Sequence, residues 1–364
     1  MAVPLFDTQT PLLALRPQLE GAIRAVLDSG RFILGPEVGA FEREFADYCG
    51  ADACVGVANG TEALTIALRA MGVGPGDDVV VPSFTFYASA ESIPPTGARP
   101  VFCDVDVDTG CMTASTVAAA LTPATRAIVV VHLFGNVAPV REIEALGVPV
   151  LEDAAQAAGA LAADGRPGAL GTAATFSFFP SKNLGCFGDG GAILTSDDLL
   201  AQRARMLRFH GSKDKVTYEH VGYNSRLDEL QAAILRVLLP HLDEWSDGRR
   251  AAARAYDEAG LSELVAPSRP ATADAQPAWH LYVVRHERAD ELSAGLSDRG
   301  IGNRAYYRLP VHRQPAMAPF AGGVELPATD ELARTHLALP MSPVLSAQQA
   351  REVVEAVRKV LAGL

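Results

Sequence analysis

One lysine, Lys182, stands in the run Phe176-Ser177-Phe178-Phe179-Pro180-Ser181-Lys182-Asn183-Leu184-Gly185-Cys186-Phe187-Gly188-Asp189-Gly190-Gly191. Lysine is rarely buried without a partner. In apolar surroundings it loses its proton readily and becomes a nucleophile toward aldehydes. Gly188, Gly190 and Gly191 would let backbone pass close to a flat molecule. A surface-turn lysine is the plain alternative, but few such turns are this apolar and glycine-rich.

Three other segments carry groups that could serve one site. In Val57-Ala58-Asn59-Gly60-Thr61-Glu62 a strand pattern turns into a helix pattern at Gly60. Helix N-termini expose unpaired N–H groups and a partial positive charge, which suits a phosphate. An ordinary Asn/Thr helix cap explains the same residues. In Val150-Leu151-Glu152-Asp153-Ala154-Ala155-Gln156 an acid sits at the carboxyl end of an apolar strand, where α/β sheets bind ligands. Asp153 could pair with a protonated ring nitrogen and Gln156 could hydrogen-bond nearby; a helix-capping role for Asp153 stands equally open. Asn224 and Arg226 precede a helix that Asp228 could cap, so they could bind anions or form a polar turn.

The elements that would position these groups alternate. Strand patterns cover Cys54–Ala58, Asp78–Val81, Val101–Asp104, Ala127–Val131, Val148–Glu152, Thr175–Phe178 and Ala192–Thr195. Helical patterns at Gly60–Ala70, Ala88–Ile93 and Pro139–Leu146 lie between them. That alternation predicts a doubly wound α/β sheet. Helices then follow at Leu199–His210, Asp228–Leu239 and Asp243–Ala259. Ala266–Pro277 reads as a linker, Trp279–Arg285 as a strand, and Ala289–Arg299 and Gln348–Ala362 as helices of a smaller α/β domain.

Bulk properties narrow the function. The chain has 364 residues, which suggests two domains. Its net charge of −12 argues against nucleic acid as a partner. Cys49, Cys54, Cys103, Cys111 and Cys186 form no C-x-x-C pair, so neither a disulfide framework nor a metal site is expected. No secretory signal and no membrane span is read, and a cytoplasmic enzyme is the expectation.

Taken together, in order and spacing, Asn59-Gly60-Thr61, Glu152-Asp153-x-x-Gln156, Ser177-Phe178 with Lys182, and Asn224-x-Arg226 resemble the DegT/DnrJ/EryC1/StrS family of nucleotide-sugar aminotransferases. The likeness runs from Ser29-Gly30-Arg31-Phe32-Ile33-Leu34-Gly35-Pro36 to Leu339-Pro340. It implies an aspartate-aminotransferase-like (fold type I) α/β architecture. A large cofactor domain with a mixed, mostly parallel sheet would span 1–245, and a small C-terminal α/β domain 246–364. It implies pyridoxal 5'-phosphate as cofactor, passing through pyridoxamine 5'-phosphate. Lys182 would form the Schiff base and shuttle protons, and Asp153 would hold the pyridine nitrogen. Gln156 would contact the phenolic oxygen side. Gly60, Thr61 and Ser177 would take the phosphate, and Phe86 would stack on the ring. Asn224 would reach the cofactor of the neighbouring subunit, which implies a homodimer with shared sites.

The resemblance also implies the substrates: a nucleotide-linked keto-sugar and an amino donor, usually glutamate. Arg31, Tyr307, Arg308 and His312 are its substrate-binding positions. Tyr306 and Arg308 replace the His and Pro of the family's His-Tyr-Pro run, while Tyr307, Pro310 and His312 match. Arg308 could hold a carboxylate or diphosphate. The turn at Gly188-Asp189-Gly190-Gly191 is similar to members that aminate at C-3, with C-4 of a 4-keto-6-deoxy sugar as the alternative. A sugar dehydratase would carry His in place of Lys182, and a non-catalytic or regulatory homologue would have lost Lys182 or Asp153. Gly72-Val73-Gly74-Pro75-Gly76 does not fit the dinucleotide-binding spacing of a dehydrogenase.

Overall fold

The computed structural model of the chain describes residues 2–363. Seven strands form the large sheet: β1 (Ala53–Val57), β2 (Asp78–Pro82), β3 (Arg99–Cys103), β4 (Thr125–Val131), β5 (Val150–Asp153), β6 (Ala173–Ser177) and β7 (Gly191–Thr195). Their order is β1-β7-β6-β5-β4-β2-β3. Strand β7 is antiparallel to both its neighbours, and the remaining pairs are parallel. This is the mixed, mostly parallel sheet that the resemblance implies.

The strands are mostly apolar because both faces are covered. Side chains alternate between two separate cores. Val80, Ile128, Val130 and Val150 enter one core. Val79, Val81, Val129, Val131 and Leu151 enter the other. Strands β5 and β6 run parallel, so their carboxyl ends reach one edge, where Asp153 lies opposite Thr175 and Ser177 follows two residues later.

A second sheet is antiparallel, in the order β10-β9-β8, and comprises β8 (Ala266–Pro267), β9 (Tyr282–Arg285) and β10 (His336–Leu339). Helices Ala289–Ser297 and Ala347–Ala362 pack on it. Val3 bridges Ile301, so the N-terminal segment joins this small unit. The helix Leu242–Glu258 runs through the expected boundary at 245/246.

Two expectations need correction. Ala266–Pro277 is not a free linker but a strap fixed to the large sheet's loops. Asn136 donates to the Arg269 carbonyl (2.7 Å) and accepts from the Ala271 amide (3.0 Å). Leu161 and Gln276 exchange backbone bonds of 2.8 and 3.0 Å. The strand expected from Trp279 begins at Tyr282. Ala278 and Leu281 donate to the Gly135 and Phe134 carbonyls instead, and Trp279 adopts φ 42. A Cβ at Gly135 would lie 2.8 Å from the Trp279 and His280 amides, so this close approach requires glycine.

Other long-range contacts explain buried acids. Glu229 is 1% exposed and accepts from the amides of Gly35, Glu37 and Val38 at 2.8–2.9 Å. It caps the helix Pro36–Cys49, where an anion meets the positive end of the dipole.

His336, fully buried on β10, makes the fold acid-sensitive. Its Nδ1 meets the Leu332 carbonyl, its Nε2 has no partner among the described residues, and burial first of all pulls its pKa down to about 4. The unfolded chain takes this proton near 6.5 and the folded chain near 4. Stability from this group is therefore complete above the unfolded pKa and is lost as pH falls through the folded one. The loss approaches about 3 kcal/mol. His336→Phe should flatten the slope of denaturant stability between those two pKa values. An unchanged slope would assign the acid sensitivity to other groups.

Candidate active site

A cleft of about 750 Å³ opens over the carboxyl ends of β5 and β6, and Gly60, Thr61, Phe86, Asp153, Gln156, Ser177, Lys182, Tyr307 and Arg308 all line it. Its floor begins with the helix Gly60–Ala70. The Asn59 side chain accepts from the Glu62 amide (2.8 Å), and the Asn59 carbonyl accepts from the Ala63 amide (3.1 Å). The amides of Gly60 and Thr61 have no protein partner among the described residues. The cap and the phosphate cradle thus coexist: Asn59 uses two amides and leaves two free.

Space here is tight. A Cβ at Gly60 would lie 2.7 Å from Ser177 Cβ, and one at Gly191 would lie 2.5 Å from the Asn59 carbonyl. Gly60→Ala is expected to weaken binding of a phosphate-bearing cofactor about tenfold, the equivalent of roughly 1.4 kcal/mol of overpacking. An equilibrium titration of the apoprotein reads this directly. Unaltered affinity would place the phosphate elsewhere.

Asp153 is 6% exposed. Its Oδ2 accepts from Ser89 Oγ (2.7 Å), and its Oδ1 accepts from the Ala155 amide (3.2 Å). Thr85 Oγ1 lies 3.0 Å from Ser89 Oγ and extends the chain of hydroxyls. The adjacent Glu152 faces away. It accepts from the Gly168, Leu170 and Gly171 amides at 2.8–3.1 Å and pairs with buried His132 at 2.8 Å. Of the two neighbouring acids, one holds the loop and one faces the cleft.

Lys182 sits in the tight turn after β6, where its amide donates to the Phe179 carbonyl (2.8 Å). Its side chain has no ion pair among the described residues. Burial pulls the amine down to about 8 from 10.5, and the Asp153 carboxylate opposes this only in part. That is the setting of an amine that can act as a nucleophile and base near neutrality.

The opposite wall is aromatic. Gln156 accepts from the Phe134 amide (2.6 Å) and donates to Tyr307 Oη (3.2 Å). Tyr307 stacks on Phe134, with centroids 5.9 Å apart and planes 3° apart. Phe86 is 54% exposed into the cleft, 6.4 Å from the Tyr307 ring. A flat ligand would find an aromatic face there.

The remaining expected residues lie elsewhere. Arg308 borders the cleft, but its guanidinium donates to the Ala333 and Arg334 carbonyls (2.9 and 2.6 Å) and to Asp290 (2.6 Å). It caps the end of the helix Pro327–Thr335. His312 is 5% exposed, 2.6 Å from Ser83 Oγ, and does not line the cleft. Arg31 and Asn224 are exposed and lie outside the cleft of their own chain. Phe6, Ser89, His280 and Arg304 went unread in the sequence, whereas Tyr306, noted there as a departure from the family's run, lines the cleft. His280 lines the cleft because the segment before β9 bends inward, and Thr85 and Ser89 lie four residues apart beside Asp153.

The chain is similar to known proteins along nearly its whole length. The pattern described as the DegT/DnrJ/EryC1/StrS aminotransferase family matches residues 14–358. A Streptomyces venezuelae protein named dTDP-3-amino-3,4,6-trideoxy-alpha-D-glucose transaminase is 48% identical, with 98% of this chain and 96% of that protein covered. A Geobacillus stearothermophilus protein named pleiotropic regulatory protein is 45% identical, covering 98% and 97%. The crystal structure of S. venezuelae DesV in complex with a ketimine intermediate superposes with a TM-score of 0.94 at 46% identity, covering 98% of each chain.

Proposed function

The chain belongs to the DegT/DnrJ/EryC1/StrS aminotransferase family, and we propose that it transfers an amino group, from glutamate, to C-3 of a nucleotide-linked keto-sugar, using pyridoxal 5'-phosphate held by Lys182. One observation carries the reading: Lys182, Asp153 and the free amides of Gly60 and Thr61 face one cleft. A regulatory homologue has no need of this set, and both Lys182 and Asp153 are in place.

The residues fit the cofactor. The Gly60–Thr61 amides and Ser177 form a cradle that a Cβ would fill, as a phosphate site requires. Asp153 would hold the protonated ring nitrogen, Gln156 the phenolic side, and Phe86 one ring face. Bound there, the cofactor supplies an electron sink for carbanionic charge. Lys182 Nζ takes and returns the proton at the substrate carbon, and its low pKa lets it act as a base. Asp153 would set its carboxylate opposite the ring nitrogen, oriented by Ser89 Oγ and the Ala155 amide. Phe86, Tyr307 and Phe134 exclude water from that side of the cleft.

C-3 is favoured by the Gly188-Asp189-Gly190-Gly191 turn and by the name of the 48% identical relative. The test is incubation with glutamate and nucleotide-linked 3-keto or 4-keto sugars, with the aminated carbon read by NMR of the product. Amination of the 4-keto sugar alone would replace C-3 by C-4, and no visible cofactor absorbance would remove the reading altogether.

The active unit is a homodimer, and the enzyme works in the cytoplasm. Phe32 and Ile33 are 46% and 47% exposed, and Phe187 is 48% exposed. All three sit beside the start of the helix Glu229–Leu238: Ile33 bridges Asp228, the Phe32 carbonyl accepts from Glu229, and the Phe187 amide donates to Gln231. Asn224 and Arg226 lie just before that helix, so an apolar patch with a polar edge is ready for a second copy. If Asn224 serves the partner's cleft, mixing Asn224→Ala with Lys182→Ala chains creates one intact site per hybrid dimer. About a quarter of wild-type activity should return, since half the dimers are hybrids with one site of two. No recovery after verified subunit exchange would confine each site to its own chain.

A further inference from the structure

His280 forms part of the cleft wall next to Lys182. The residue is 6% exposed, and its ring packs on Phe6 with centroids 6.2 Å apart. Asn183, the residue after Lys182, decides where its proton sits. Asn183 Nδ2 donates to the Ala278 carbonyl (2.8 Å) and the Ala158 carbonyl (3.3 Å). Turning the amide over would set an oxygen against two oxygens, so its orientation is fixed. Asn183 Oδ1 therefore faces His280 Nδ1, at 3.3 Å, as an acceptor only. Nδ1 must carry a proton.

The other nitrogen is bare. The charged groups facing the ring are Lys182, from the turn after β6, and Arg249, from the helix Leu242–Glu258. Both are cations. Arg249 is 8% exposed, and its one hydrogen-bond partner among the described residues is the Trp279 carbonyl, at 3.0 Å. Phe6, Asn183 and Trp279 add only neutral groups. Burial and these two cations push His280 well below its ordinary pKa. A neutral ring with its proton on Nδ1 leaves Nε2 as an acceptor. Nε2 makes no hydrogen bond within the described chain, yet it is not among the sealed, unpartnered atoms.

We infer that His280 is a positioning residue for Lys182: fixed by Asn183 as the neutral Nδ1–H tautomer, it presents Nε2 to accept a hydrogen bond from the Lys182 amino group whenever that amine is not covalently engaged. The inference rests on Lys182 being the cofactor-binding amine. Its role is to aim the released amine back toward the substrate carbon without adding positive charge beside it.

The holoenzyme labelled with ¹⁵N-histidine tests this, with the His280 signals assigned by their loss in His280→Gln. The expected pattern is a neutral Nδ1–H ring that does not titrate as pH falls from about 8 to about 6, below the ordinary histidine midpoint. A proton on Nε2, or a midpoint near the ordinary value, overturns the inference. His280→Phe keeps the ring packed on Phe6 and removes the acceptor. It should lower kcat about tenfold with KM nearly unchanged. It should also move the low-pH midpoint of activity down by about one pH unit, because a hydrogen bond to the Lys182 ammonium is lost. A variant that loses thermal stability while this midpoint stays put would show a structural role only. Wild-type protein without visible cofactor absorbance fails the Lys182 reading itself, whereas intact absorbance with a titrating His280 fails this inference alone.

Discussion

Lys182→Ala should lose turnover by at least about 10³-fold and should bind its cofactor without the visible absorbance of the lysine-bound form. The magnitude follows from two separate duties. Lys182 is the amine that anchors the cofactor, and it is the base at the substrate carbon. Its environment is tuned for both. An ordinary lysine amine is about 0.03% free base at pH 7, whereas one titrating near 8 is about 10% free, a gain of about 300-fold. Burial supplies this shift, and Asp153 limits it. Lys182→Arg separates charge from chemistry: it keeps the cation and should be equally inactive. A Lys182→Ala protein that keeps the lysine-bound absorbance would move the anchor to another amine.

Much of this site is legible in the sequence because it is built from local signals. Each wall of the cofactor cradle is a strand end followed by a turn: Val57 into Gly60, Asp153 into Gln156, Ser177 into Lys182. Strand ends in a parallel sheet converge on one edge, so the order of these short runs already implies that they meet. The rest depends on distant partners. Glu229 and Glu152 look like any acids in a helix and a strand, and only the fold shows amide clusters waiting for them. Arg308 has the chemistry for a diphosphate, but a helix end and Asp290 take its guanidinium first. His312 matches its expected position, yet the Ser83 hydroxyl holds it outside the cleft. His280 sits in an alternating apolar run that reads as strand, and the loop at Gly135 pulls it out of the sheet into the cleft. Sequence patterns record local geometry and burial. They do not record which of several partners a long polar side chain chooses.

Asp153→Asn should fold normally, keep a bound cofactor and lose about two orders of magnitude in kcat. The fold tolerates the change because its contacts can be kept or reversed. Asn Oδ1 can still accept from the Ala155 amide, as Asp153 Oδ1 does now at 3.2 Å. Ser89 Oγ, now 2.7 Å from Asp153 Oδ2, can rotate its hydroxyl to accept from the new amide. Its hydrogen, released from Asp153, can then be donated to Thr85 Oγ1, 3.0 Å away, reversing the present Thr85-to-Ser89 bond. The missing element is the negative charge, not a steric fit. A hydrogen bond to a charged group is worth about 1.5–3 kcal/mol, or roughly 10- to 150-fold in rate when the charge matters in the transition state. Ser89→Ala supplies the contrast, since it removes one donor to Asp153 and leaves the carboxylate; a loss of only a few-fold is expected. Both half-reactions should slow together in Asp153→Asn, because the ring nitrogen must stay protonated whichever substrate occupies the cleft. An effect on the amino donor alone, with the sugar half-reaction intact, would make Asp153 a donor contact instead. Wild-type kcat in Asp153→Asn would remove it from the chemistry and leave it as the acceptor that holds Ser89 and the turn at Ala155.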